Sequence, residues 1–521
     1  MEAYYTITAL SLPILLLLVS FLFSHSKLKK RTNFLPPSPP SLPILGHLHL
    51  FMKKNSSLPR TLAAISADHG PVILLRLGSR AVLLVSSSSA AVECFTTNDL
   101  AFASRPFLPS IRPISFNYSG LATAPYGHHW RTFRRITINE LVSSSRLRSF
   151  ADTRGAELRA LLTKLLDDSK GDNWCPIELK SRVFGMALNV IVRMLTGEKY
   201  YGEGELGMKK MEEFKEMEEE LMARGGGFFV TDFFPFLKLI GLQWLESRSM
   251  SKLLSRRNTI LQRLIDGHRQ KKNSSSTDSK CFMDLLLSMQ EESPDHITDD
   301  VIKATVQSLG IAGSIPVTET LIWVMSLLLN HPTAMNKVKD EIETFIGSQR
   351  LVEEEDLPNL PYLHAVIKET LRLYPAVPLL HPHEAREDCT VAGYHVRRGT
   401  MLLVNVWAIH RDSVEWAVAE EFRPERFVGS ESSGNGMNRM MKMMIPFGMG
   451  RRGCPGEAMA SLQIPLMLAA MIQCFEWKEM EDKQVDMMDN GNTLTLPKAV
   501  PLKVLCRPRR EMMSLLLQLH D

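Results

Sequence analysis

Residues 446–456 read Pro-Phe-Gly-Met-Gly-Arg-Arg-Gly-Cys-Pro-Gly. Four glycines and two prolines in eleven residues rule out a regular helix or strand. The segment must be a loop built from turns, with little side-chain bulk to keep its backbone from a neighbour. It fixes two arginines and one cysteine at set spacing. Seven cysteines in 521 residues are too sparse, and too odd in number, for a disulfide framework. Cys454 therefore reads as a thiol kept for chemistry or as a small buried hydrophobe. The other six keep the second reading.

Tyr4 to Phe23 is an apolar run without a charge. Twenty residues at a 1.5 Å rise cover a hydrocarbon layer of roughly 30 Å. No small-residue cleavage site follows, so the run reads as an anchor. Lys27, Lys29, Lys30 and Arg31 flank its C-terminal end, which puts the bulk of the chain in the cytosol. Five prolines between Leu35 and Gly46 make a stiff, extended connector. Residues 1–26 are thus expected to be a membrane anchor and 27–46 a basic, proline-rich linker. The whole chain is 45% hydrophobic and 23% charged, as a large buried core requires. With 61 basic against 57 acidic residues and no basic arm, nucleic acid is not an expected partner.

Val72 to Leu77 and Ala81 to Val85, broken by Gly78-Ser79, predict a hairpin. From about Ala90 to Asn330 the apolar period is helical, as in Leu158–Leu166, Val183–Leu195 and Ile260–His268. Gly225-Gly226-Gly227 and Lys271–Ser279 break that pattern and read as loops. The last third mixes helix with short strands such as Met401–Val404. A small β-rich portion with a large helical one predicts an α+β fold. Glu511–Asp521 is a short amphipathic tail.

The cysteine loop resembles the haem-binding loop of the cytochrome P-450 superfamily, F-x-x-G-x-R-x-C-x-G. Phe447, Gly450, Arg452, Cys454 and Gly456 fill its fixed places. Three further motifs follow the family's order: Trp130-x-x-x-Arg134, Glu369-Thr-Leu-Arg372 and Pro424-Glu-Arg-Phe427. The resemblance implies the following roles. Cys454 is the axial thiolate of haem b (iron protoporphyrin IX), a ligand that favours O–O cleavage. Trp130, Arg134, His383 and Arg452 hold the haem propionates. Glu369, Arg372 and Arg426 form a buried network, and His381 lines the pocket or packs. The whole is the family's fold, preceded by one membrane helix, with a catalytic domain over 47–508 and a tail over 509–521. Glu93-Cys-Phe-Thr-Thr-Asn-Asp-Leu-Ala-Phe-Ala-Ser-Arg-Pro106 and Ala124-Pro-Tyr-Gly-His-His-Trp-Arg131 are similar to the plant microsomal A-type clan, family 81 in particular. Such relatives sit in the endoplasmic reticulum membrane. They take electrons from NADPH through a separate reductase and oxidise specialised plant metabolites such as isoflavonoids, indolic compounds and lignans.

One motif departs from the family. A helix expected over Asp299–Asn330 should cross the distal face of the haem, carrying A-G-x-D/E-T-T/S. This chain reads Ala312-Gly313-Ser-Ile315-Pro316-Val317, so the acid is Ile315 and the threonine is Pro316. In the family that pair opens a kink and delivers protons to the oxygen under activation. Pro316 can open the kink by removing an N–H and displacing the Ala312 carbonyl. Neither Ile315 nor Pro316 can carry a proton. Glu319-Thr320 is an acid–threonine pair one turn, about 5.4 Å, further on. Glu319 reads either as a displaced relay acid or as a solvated or helix-bridging carboxylate.

Three outcomes are open, in this order: substrate-assisted hydroxylation; ring formation, cleavage or desaturation; and a reductase-independent isomerase or lyase acting on an oxidised substrate. A non-catalytic haem-binding scaffold is the remaining reading. By position in the family, Phe107–Ala124, Ser308–Val317, Ala376–Leu380 and Thr493–Leu496 should contact the substrate. Phe107, Phe116, Val377 and Leu379 suggest an apolar or aromatic one. Arg131, Arg135, Lys442 and Arg451 are candidates for the face that meets the reductase.

Overall fold

The computed structural model describes residues 34–51, 57–169, 173–197, 214–221, 230–238, 241–274, 281–428, 443–480, 483–491 and 493–520. The predicted anchor, the Gly225–Gly227 loop and Lys442 lie outside the described residues.

One rod organises the helical body. Helix α8 (Asp299–Asn330) is apolar on all sides, and every side chain from Leu321 to Leu329 is buried. At 32 residues it is about 48 Å long. Helix α5 (Leu179–Thr196) runs against it, and α4 (Ala151–Ser169) packs on the outer side of α5. Helices α6 (Leu242–Ser274), α10 (Pro361–Leu373) and α11 (Glu457–Cys474) close around the rod. Helix α7 (Phe282–Glu292) bridges α5 and α6, and α9 (Pro332–Phe345) lies on α10 and α11. Among the described residues α8 and α11 are long and apolar enough to cross a membrane, but both are mostly buried in this body.

The expected start of α8 holds. Asp299, its first residue, accepts from Gln262 and Arg269 of α6, each at 3.0 Å. Helix α6 also extends into the predicted Lys271–Ser279 loop as far as Ser274. Its Arg, Gln and Lys residues favour helix even where polarity suggests a loop.

The β-rich portion is small. Strands β1 (Val72–Leu77) and β2 (Arg80–Val85) form the predicted hairpin. The sheet order is β1-β2-β7-β4, with β7 (Met401–Val404) parallel to β2 and antiparallel to β4 (His383–Glu384). Helices α1 (Leu58–His69) and α2 (Ser88–Phe95) flank it. Strand β3 (Cys175–Glu178) joins β9 (Lys503–Pro508) and β8 (Phe475–Glu479) in a second sheet, and β5 (Cys389–Val391) pairs with β6 (Tyr394–Val396). The α+β expectation is met. Two remaining elements matter below: α3 (His128–Thr137), and α12 (Met513–His520) in the tail.

The tail is part of the core. Met512 and Leu516 are buried in the main apolar cluster, with α12 against α4. Leu516→Ala is expected to destabilise the protein by about 2–5 kcal/mol, the usual cost of a large-to-small core change. Denaturant unfolding measures it, and a change under about 0.5 kcal/mol would show the tail undocked.

Candidate active site

The cysteine loop leaves the core at Ile445 and re-enters it in α11. Gly448 and Gly450 have φ of +70° and +69°, which side-chain-bearing residues rarely adopt. A Cβ at Gly450 would also meet the Phe95 carbonyl at 2.4 Å, so the close approach requires glycine. Arg451 pins the loop to the end of α2, its Nε donating to Asp99 at 2.7 Å and its backbone N–H at 3.1 Å. The Cys454 N–H donates to the Phe447 carbonyl at 2.8 Å, closing the turn.

Cys454 presents its side chain to a solvent-sized opening, yet protein encloses it closely enough for burial to push its thiol up. The Gly456 amide pulls it down most strongly, Glu457 raises it, and Arg134 and the Glu457 amide lower it. These amides begin α11, where a helix start favours a thiolate. A Cβ at Gly456 would stand 3.9 Å from the sulfur.

Around the sulfur lies positive charge without matching carboxylates. Arg452 donates to the carbonyls of Ala103 and Ala124, each at 2.7 Å, and lies 4.1 Å from the Trp130 ring. Arg134, one turn along α3, lies 6.0 Å from the same ring. Arg105, a residue that the motifs did not single out, donates to the carbonyls of Ala122, His381 and Pro382. Burial pushes Arg105 down to about 9; burial with Arg105 and Arg134 pushes Arg452 down to about 8. Among the described residues none of the three arginines is in an ion pair. Guanidiniums that are buried, as in Arg105, or half-buried, as in Arg134 and Arg452, and that meet only carbonyls or an aromatic face call for an anion. The two propionates of a haem held through Cys454 would fit this donor set.

His383 belongs to the same cluster. Its Nδ1–H donates to the Phe102 carbonyl at 2.8 Å, and Phe95 lies 5.0 Å away between ring centroids. Burial and Arg105 hold it well below the usual histidine range. In that neutral form Nε2 only accepts; a carboxylate beside it would favour the doubly donating cation. His381 is pushed to about 3, by burial first.

The expected network forms as well. Glu369 accepts from Arg372 at 2.7 and 2.8 Å and from Arg426 at 3.0 Å. Glu369 and Arg372 are fully buried.

On α8, Ala312 is exposed in a stretch otherwise largely buried, so this face opens inward. A Cβ at Gly313 would meet Ile191 at 2.9 Å, which sets α5 close against α8. Ile315 and Val317 are buried, and Pro316 removes the partner of the Ala312 carbonyl. The neighbouring hydroxyls are engaged along the helix: Ser314 on Gly310, Thr318 on Ser314 and Thr320 on Pro316, at 2.7–2.8 Å. Glu319 is buried and pairs with Lys180 of α5 at 3.1 Å. That is the helix-bridging alternative, and the pairing excludes a solvated carboxylate.

The expected substrate segments meet only in part. Leu496 N–H donates to the Ala376 carbonyl at 3.0 Å, and the Leu496 carbonyl accepts from Trp323 of α8 at 2.7 Å. Phe116 is buried, with the Arg257 guanidinium 3.8 Å over its ring. Phe107 is instead exposed and lines a surface cavity of 530 Å³ with Leu35, Pro36 and Arg80. Of the basic residues, Arg131 and Arg135 are exposed, whereas Arg451 is neutralised by Asp99.

Sequence patterning also gives no sign of Glu218. It is buried, and neither oxygen has a hydrogen-bond partner among the described residues. Burial pushes it up to about 8, offset by Arg257. Its folded value lies above the unfolded one. Its contribution to stability is therefore full below the usual carboxylate range and is lost as pH rises towards 8. Glu218→Gln is expected to melt higher than the wild type, by a margin that widens with pH over that window. Parallel melting curves across the window would contradict the buried, unpaired state.

Comparison with known proteins agrees with this geometry. The family model described as cytochrome P450 matches residues 36–504. Cytochrome P450 81Q32 of Catharanthus roseus is 43% identical over 92% of this chain and 93% of its own. An isoflavone 2'-hydroxylase of Glycyrrhiza echinata is 41% identical over 96% of this chain and 98% of its own. A zebra fish cytochrome P450 with abiraterone superposes with a TM-score of 0.70 at 24% identity, covering 86% of this chain and 98% of that one, a likeness of fold alone. With a thiol seated on two amides, a surplus of buried arginine and a family match along almost the whole described body, the chain belongs to the cytochrome P450 family, among plant members of family 81.

Proposed function

We propose that this enzyme carries out NADPH- and oxygen-dependent oxidation of a small apolar or aromatic plant metabolite, anchored by residues 1–26 in the endoplasmic reticulum membrane with residues 47–508 in the cytosol. The observation that carries the reading is the Cys454 loop, whose own Arg452 stands with Arg105 and Arg134, none of them in an ion pair among the described residues. Haem held there through Cys454 supplies the oxidising chemistry, and electrons reach it from NADPH through a separate reductase. Arg452, Arg105 and Arg134 hold the propionates, Trp130 packs beneath Arg452, and His383 donates once a carboxylate sits beside it. The exposed Arg131 and Arg135 offer a basic face to the reductase. The names of two relatives, an isoflavone 2'-hydroxylase and a piperitol/sesamin synthase, support an aromatic substrate.

The reaction is proposed to be atypical. Ile315 and Pro316 carry no exchangeable proton, Glu319 is tied to Lys180, and the nearby hydroxyls donate to helix carbonyls. A substrate hydroxyl, or water on the released Ala312 carbonyl, then takes the part of proton donor. Substrate-assisted hydroxylation, ring formation, cleavage or desaturation all fit that arrangement.

Microsomes holding this protein and a reductase, given plant phenolics, terpenoids and alkaloids, test the reading. A product that needs NADPH and carries one more oxygen or two fewer hydrogens is expected. A product of unchanged mass formed equally without NADPH would make the protein an isomerase. Within that assay, Ile315→Asp with Pro316→Thr is expected to shift the product distribution or lower peroxide leakage; unchanged products and leakage would sink the role given to the missing pair. Arg105→Ala is expected to weaken haem retention about 10-fold or more, the loss of one charge-assisted contact, with Arg105→Lys partly restoring it. Haem content per protein after gel filtration measures this, and full retention in Arg105→Ala would remove Arg105 from the site.

A further inference from the structure

Far from the haem loop in sequence, three ligand-type side chains meet between α6 and α7. His268 Nε2 lies 2.8 Å from Asp284 Oδ1 and 3.3 Å from Cys281 Sγ. All three ligand atoms fall within 4.8 Å of one another. Helix capping accounts for only part of this. Asp284 Oδ2 accepts the Cys281 N–H at 2.9 Å and so closes the start of α7. That contact does not require an imidazole set against both the sulfur and the other carboxylate oxygen. Nor is the group a nucleophilic triad. In a triad the acid and the nucleophile meet opposite ring nitrogens, whereas here both meet Nε2.

We propose that His268, Cys281 and Asp284 bind a zinc-class divalent cation that clips α6 to α7. Thiolate, imidazole and carboxylate are the ligand types zinc takes, with water completing the tetrahedron. At ordinary zinc–ligand bond lengths the donor atoms of such a tetrahedron stand about 3.3–3.6 Å apart. From the observed 2.8 and 3.3 Å the imidazole–carboxylate pair must open by roughly half an ångström and the imidazole–sulfur pair by roughly a quarter, within reach of side-chain rotation. The Cys281 amide, donating to the other carboxylate oxygen, already holds Asp284 in orientation. Cys281 is the residue just before an eleven-residue helix, and burial pushes its thiol up, so the cation itself must displace that proton. Side-chain exposures of 14% for His268 and 23% for Asp284 leave a path from solvent. Zinc enters as the aquated ion, sheds water, displaces the thiol proton to solvent and takes Nε2 of the imidazole in its Nδ1–H tautomer, with no change of redox state.

The test uses the haem-loaded full-length protein, freed of adventitious metal by a chelator and titrated with zinc chloride. The wild type is expected to take up one equivalent that both Cys281→Ser and His268→Gln lose. Since an outer-shell partner alone is worth about 10- to 100-fold in affinity, loss of the thiolate should weaken binding by about 100-fold or more. Haem content and circular dichroism check that the variants fold. Two readouts need only the wild type: cobalt should give a thiolate-to-metal charge-transfer band, and zinc should protect Cys281 from alkylation. Equal zinc uptake by wild type and folded variants would overturn the proposal. So would a wild type with no cobalt–thiolate band and no protection at micromolar metal.

Discussion

Glu369 is a carboxylate with no exposed surface, and it accepts from two guanidiniums and from the Arg423 amide. Arg372, equally buried, turns its remaining donors to the carbonyls of His410, Ala419 and Glu421. Charges taken this far from water are tolerated only when every lone pair and proton is satisfied; removing one partner typically costs about 3–5 kcal/mol. The network thereby fixes the path of the chain from His410 to Phe427. His410 carries the constraint onward. Burial and Arg372 push it down to about 3, so its neutral Nε2 can accept the Ile445 N–H at 3.1 Å. Ile445 is where the Cys454 loop leaves the core. The position of the sulfur thus depends on a carboxylate 85 residues upstream in sequence, through one neutral histidine.

Around Cys454 the charge balance is reversed. The network resolves each charge internally, whereas Arg105, Arg134 and Arg452 find only carbonyl oxygen, an aromatic face or the sulfur itself. One region is closed electrostatically and needs nothing added. The other gains stability when an anion arrives, so cofactor loading and folding are linked by mass action.

How far this was legible in the sequence depended on distance along the chain. Cys454 with its glycines, Glu369 with Arg372, and Trp130 with Arg134 are local patterns, and each recurs in the structure as side chains in contact or on one helical face. The ends of α8 were equally readable, because an apolar run between two acids and a histidine-proline break leaves little freedom. Arg105 was not readable as a site residue, since it meets His381 only through a chain reversal 276 residues long. The same holds for Lys180, which explains Glu319, and for Asp99, which takes Arg451 out of the basic face. Patterning marked the tail as amphipathic but could not say against what it packs; α12 finds its partner in α4. Polarity misread the end of α6, where helix-forming residues carry the helix on to Ser274.

Gly313 and Pro316 lie within one turn of each other but answer to different demands. Gly313 is a mechanical seat: its missing side chain lets α5 rest on α8 through Ile191. The buried Ile315 and the half-buried Pro316 need no such missing side chain. The chemistry of the distal helix can therefore be rewritten without moving the joint that holds it. A lineage could exchange proton-handling residues here while keeping its scaffold, and an engineer could exchange them back.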